Sequence, residues 1–109
     1  MKTSNSSDQL FRNVLELNKI IHEPARISIL TLLSVVENAD FLFVMNQTGL
    51  TQGNLSFHLS KLEAAGYVTV EKTFKNKRPN TILRLSDQGR QEYQSYIGSL
   101  REFLDSIPA

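Results

Sequence analysis

The sequence predicts a mainly α-helical domain with one small β-hairpin set between its helices. Apolar residues recur at helical spacing in four separate stretches, and the period switches to strand-like alternation once, directly after Gly66. No apolar run approaches the roughly 20 residues that a membrane span needs. At 109 residues the chain is long enough for one core and too short for two.

Residues 1–7 are rich in Ser and Asn and are expected to be disordered, leaving 8–109 as a single domain. From Asp8, the residues Leu10, Phe11, Val14 and Leu15, with Leu17 as a further member, recur at helical spacing and predict a first amphipathic helix to about Asn18. Pro24 suits the first position of a second helix, where its missing N–H would go unbonded in any case. Ile29, Leu32, Leu33 and Val36 line one face of that helix, with Ile27 and Leu30 widening it, and Asn38 is a plausible end.

Asp40 is placed to cap a third helix through Gln47. The five consecutive apolar residues Phe41–Met45 fit a buried strand equally well by periodicity alone. Gly49, then Leu50 and a capping Thr51, resemble the tight turn between two crossed helices and favour the helix. The stretch from Gly49 to Gly66 reads as a helix made to be presented. Leu55, Leu59 and Leu62 share one narrow face, while Gly53, Asn54, Ser56, Phe57, Ser60 and Lys61 occupy the other side. That side lacks the Glu/Lys mixture of an ordinary solvated face and looks like a reading surface for a DNA major groove.

Beyond Gly66, Tyr67–Phe74 alternates, is rich in β-branched and aromatic residues, and reads as a strand, with Thr81–Leu85 as its partner. Between them Lys75–Asn80 supplies turn residues and three positive charges, so a basic, mobile hairpin tip is expected. Ser86 then caps a final helix over about 87–106, carrying Tyr93, Tyr96, Ile97, Leu100, Leu104 and Ile107 at approximate 3-4 spacing.

Composition narrows the function. The chain has no cysteine, which excludes disulfides, iron–sulfur ligation, thiolate metal sites and thiol redox switching. No nucleophile elbow, phosphate-binding glycine loop or paired acidic constellation is present, so no enzyme, catalytic residue or cofactor is expected. Two distant histidines without a nearby carboxylate cluster make no metal site; His58 fits a structural role beside Leu62, and His22 a role in capping or holding the second helix. A polar N-terminus without an apolar segment behind it predicts no secretory signal, and a cytoplasmic location. Net charge is only +1, yet between Thr51 and Leu85 six basic residues face two acidic ones. A local basic face of this kind suits nucleic acid, although solvated clusters are also common.

Helix, helix, turn, helix and a hairpin with a cationic tip is the order of a winged helix-turn-helix. The segments His22–Leu30, Gly49–Val68 and Leu85–Arg90 resemble small stand-alone winged-helix transcriptional regulators of the MarR/ArsR type, over roughly residues 20–95. Leu62-Glu-Ala-Ala-Gly-Tyr-Val68 is the most specific part. The resemblance implies a bacterial or archaeal homodimer on a palindromic operator. It makes 51–65 the recognition helix, with Thr51, Gln52, Asn54, Ser56, Phe57 and Lys61 facing the groove. Asn and Gln suit adenine, Ser and Thr reach bases or phosphates, and Lys61 can neutralise a phosphate. Phe57 departs from the polar or basic residue expected there; it either contacts thymine methyls or a partner, or folds back onto the domain.

Lys75, Lys77 and Arg78 on the wing would meet phosphate or the adjacent minor groove, with Lys72 and Arg84 as weaker members of the same strip. As a solvated turn, the tip would contact nothing. The terminal helices present a similar choice between core and interface. Leu10, Phe11 and Val14 on the first, and Tyr93, Tyr96, Ile97, Leu100, Phe103 and Leu104 on the last, are assigned to a dimer interface, because a helix of about 20 residues reaches roughly 30 Å, beyond a small domain's body. The alternative to a DNA-binding regulator is a winged-helix protein-interaction module with Phe57 as its apolar anchor. No residue identifies a small-molecule effector.

Overall fold

The computed structural model describes Arg12 and residues 15–108, and among these residues four complete helices pack with a three-stranded antiparallel sheet. In chain order the elements are α1 (Pro24–Val35), β1 (Ala39–Asp40), α2 (Phe41–Thr48), α3 (Gln52–Ala64), β2 (Val68–Lys75), β3 (Arg78–Leu85) and α4 (Asp87–Asp105). The expected residues 1–7, and Leu10, Phe11 and Val14, lie outside the described residues. Arg12 and Leu15 are helical, but the chain turns at Glu16, so the first helix stops short of Asn18. Asn18 organises that turn instead. Its Oδ1 accepts from the Ile20 and Ile21 N–H groups, while its Nδ2 donates to the Tyr67 hydroxyl at 2.8 Å and to Glu92 at 3.3 Å.

Each later helix begins on a side chain that accepts an otherwise unbonded N–H. Glu23 accepts from Arg26 N at α1, so the cap is Glu23 and not His22. Asp40 accepts from Phe43 N at α2, Thr51 from Asn54 N at α3, and Ser86 from Gly89 N at α4. The ambiguous run Phe41–Met45 is helix, its Val44 fully buried and its Leu42 and Phe43 exposed. Gly49 closes α2 at φ +74, a left-handed conformation that costs glycine little, and its N–H bonds Met45 O at 2.9 Å. Three residues, 49–51, therefore separate α2 from α3. α1 ends at Val35, earlier than Asn38, because Val36 turns extended and leads into β1.

The sheet order is β1-β3-β2. β1 has no counterpart in the sequence reading; two residues carry no periodicity, and only pairing with Leu83 and Ile82 makes them a strand. The hairpin is longer and tighter than expected. β2 and β3 pair from Val68↔Leu85 to Lys75↔Arg78, leaving a turn of Asn76 and Lys77 alone. Both have positive φ, 54° and 67°, the pattern of the two-residue turn that matches strand twist. Pro79 is consequently a strand residue opposite Phe74. Next to the bonded pair that closes the turn, it falls in a non-bonded pair, where β2 does not need its missing N–H.

The core joins all the layers: Ile29, Leu30 and Leu33 of α1, Val44 of α2, Leu55, Leu59 and Leu62 of α3, Val68 and Leu83 of the hairpin, with Leu17, Ile21, Ala39, Tyr67 and Tyr96 completing it. The start of α4 is fixed against β2 by a close backbone approach. A Cβ on Gly89 would lie 2.0 Å from the Tyr67 carbonyl oxygen, the same oxygen that accepts from Ser86 N. Only glycine fits there.

Candidate nucleic-acid interface

The leucine seam decides what α3 shows. Leu55 and Leu62 are completely buried and Leu59 nearly so, which at roughly 1.5–3 kcal/mol per buried leucine holds the helix in one rotational setting. Thr51, Gln52, Asn54, Ser56, Phe57, Ser60 and Lys61 are all exposed in that setting. Thr51 spends acceptor capacity on the helix end and keeps its hydroxyl hydrogen to donate. Gln52, Ser56 and Ser60 also line a groove of about 330 Å³ between α3 and the hairpin, whose far wall is Val70, Lys72 and Thr81.

A polar cluster behind the helix locks it to α1. Arg26 donates from its guanidinium to His58 Nδ1 at 3.0 Å, and His58 Nε2 stands 3.8 Å from Glu23. Because a guanidinium only donates, Nδ1 accepts and the ring hydrogen sits on Nε2, toward Glu23. Arg26 also bonds the Ile20 carbonyl. Burial pushes the Glu23 carboxyl up, but the Arg26 N–H, the His58 ring, the Ala25 N–H and the Arg26 charge together outweigh it and leave it below its ordinary value. His58 is thus a structural histidine, held by side chains rather than by a backbone carbonyl.

The wing cations separate onto different faces. Lys72 points toward α3 across the shared groove. Lys75 lines the opposite side, beside Val36, Asp40, Phe43 and Asn80, and its register partner Arg78 shares that face. Lys77 occupies the apex. Arg84 shares the face of Lys75 and Arg78 by strand alternation but stands six residues from the latter, 3.9 Å from the exposed Glu71. Lys75 and Arg78 stand directly opposite each other, a like-charge pair that weakens a hairpin. Lys77 sits at φ 67°, where glycine or asparagine is the ordinary occupant. Local stability explains none of these choices.

Two residues that the sequence reading places on strands but not in the site belong to this surface. Phe74, opposite Pro79 near the hairpin tip, is 73% exposed, and Thr81 completes the groove wall. Alternation marks both as strand residues, but only the length of the hairpin beyond the helical body shows that Phe74 outruns the core.

Of the residues assigned to a dimer interface on α4, Tyr96 is buried within its own chain, 2% exposed, and shares a 2.6 Å hydrogen bond with His22 Nδ1. Burial, and then the nearby Tyr93, push its phenol above the ordinary value. Tyr93 donates to Thr31 Oγ1 at 2.6 Å, since that hydroxyl gives its own hydrogen to Ile27 O. Ile97 and Leu100 are half-buried against the core. Farther along, Phe103 is half-buried, while Leu104 and Ile107 are 54% and 50% exposed. Among the described residues no group of three or more His, Cys, Asp or Glu is arranged to hold a metal, and no helix is long and apolar enough to cross a membrane.

Comparison with known proteins agrees with this geometry. A family model described as a winged helix DNA-binding domain matches residues 25–104. An uncharacterized protein of Methanocaldococcus jannaschii is 34% identical over 89 residues, spanning 82% of this chain and 97% of its own length. A solved transcriptional regulator homologue from Pyrococcus horikoshii OT3 superposes with a TM-score of 0.85 at 27% identity, over 93% of this chain and 99% of that one. A MarR-family transcriptional regulator from Silicibacter pomeroyi shares the fold at a TM-score of 0.63 and 20% identity, over 91% of this chain and 64% of its own.

Proposed function

Since the chain belongs to the winged helix DNA-binding domain family and has the MarR fold, we propose that it is a transcriptional regulator, a repressor, that occupies a palindromic operator as a homodimer. The observation that carries the DNA reading is the crowding of Lys75, Lys77 and Arg78 around a two-residue turn, against the preferences of the hairpin itself. A phosphate backbone supplies the counter-charge that the fold does not.

The roles divide by chemistry. Asn54, Gln52, Ser56, Ser60 and Thr51 offer donors and acceptors to base edges, whereas Lys61, Lys72, Lys75, Lys77 and Arg78 meet phosphates and set the register. Two-fold symmetry places a pair of recognition helices about one DNA turn apart. Leu104 near the end of α4 and Ile107 just beyond its cap are exposed apolar residues that a second copy covers. Regulation of transcription places the protein in the cytoplasm. Its chemistry is binding, with no catalytic step.

The reading is tested by selecting duplexes from a random pool at low salt and footprinting the bound sites. Enrichment of a two-fold symmetric sequence is the expected result. A chain that retards no duplex at low salt contradicts the regulator and favours the protein-interaction module.

A further inference from the structure

One large apolar side chain on the recognition helix stays more than half exposed. At about 100° per residue, Phe57 falls almost diametrically opposite the centre of the Leu55, Leu59, Leu62 seam. The residue is 55% exposed. One turn to either side along that face stand Gly53, Asn54, Ser60 and Lys61, none of which offers apolar cover. The ring is nonetheless held. His58 meets it edge-on at 5.2 Å and 75°, and Lys61 Nζ lies 5.4 Å from its centroid. His58 is itself fastened to Arg26 and faces Glu23, so the ring's setting is tied back to α1.

Phenylalanine has neither donor nor acceptor, so in a major groove it meets no base edge by hydrogen bonding and no phosphate by charge. The apolar group that the groove offers is the C5-methyl of thymine. A protein-binding anchor normally belongs to a contiguous apolar patch, and the i±3 and i±4 neighbours of Phe57 supply none. We propose that Phe57 is a specificity-determining residue that reads a thymine C5-methyl, with Lys61, drawn over the same ring, meeting the adjoining phosphate. The proposal rests on the DNA-binding reading above and adds to it the kind of base that the centre of α3 selects.

Deoxyuridine removes the methyl and nothing else. Duplexes selected by the full chain from a random pool are resynthesised with one thymine at a time replaced by deoxyuridine, then titrated with the wild type and with Phe57→Ala. At one thymine of each half-site the wild type should bind the uridine duplex about fourfold more weakly, the fold-change for a single buried methyl at roughly 0.8 kcal/mol. Phe57→Ala, whose circular dichroism should match the wild type because the ring is exposed, should bind the thymine and uridine duplexes equally. Wild-type indifference to uridine at every position, with sequence preference intact, overturns the proposal and leaves the DNA reading standing. So does a uridine effect that persists in Phe57→Ala. If the chain selects no duplex, both readings fall.

Discussion

Lys77 is the residue whose placement is hardest to justify by folding alone. A lysine at φ 67° pays for a left-handed conformation that glycine adopts freely, so Lys77→Gly should leave the protein as stable or raise its stability by about 0.5 kcal/mol in a thermal melt. The same variant should bind DNA more weakly, which separates the residue's cost to the fold from its use. Glu23 shows the opposite relation. Its carboxyl titrates below the ordinary 4.5, so the stability it contributes is complete above that value and disappears as the pH falls through the lower, folded-state value. Acid unfolding followed below pH 4.5 should therefore cost the wild type more stability than it costs Glu23→Gln. Equal losses would mean that the carboxylate's partners in the folded state do not hold it.

At the scale of elements, the start of α4 is the most constrained joint. Gly89→Ala forces a Cβ into the Tyr67 carbonyl, and since backbone and not a flexible side chain is in the way, a loss of several kcal/mol or outright misfolding is expected in a denaturant titration. The helix starts were legible because each depends on one capping residue close in sequence: Asp40, Thr51 and Ser86 cap as their positions suggest. The leucine seam was legible for the same reason, since Leu55, Leu59 and Leu62 report their face by spacing alone. What escaped was set by partners far along the chain. β1 exists only because Leu83 and Ile82 pair with it, and the turn shrank to Asn76 and Lys77 because the β2–β3 register runs to Lys75↔Arg78. Tyr96 looked like an interface residue by period, yet His22, 74 residues earlier, and the core claim it. The exposed set on α3 was readable; the division of the wing cations between two faces was not, because face assignment on a hairpin waits on its register.

For the whole molecule, the proposed dimer and the proposed DNA contact make linked demands. If α4 closes the two-fold interface, Leu104→Glu with Ile107→Glu should convert a dimer to a monomer in sedimentation, with the protomer fold unchanged because both side chains are exposed within it. Asn54→Ala, by contrast, should leave assembly alone and relax base preference at one position of each half-site by about 1–3 kcal/mol. The proposed division of labour has two wings per complex neutralising phosphate while α3 reads sequence. Its most direct test is the slope of log affinity against log salt for the wild type and for Lys77→Ala with Arg78→Ala, measured on a selected duplex and on a random one. Each lost phosphate contact removes roughly 0.9 from the slope, so two cations on each of two wings should flatten it by about 3.6 on both duplexes, with the ratio of the two affinities unchanged. A slope that the double variant leaves untouched would contradict the account.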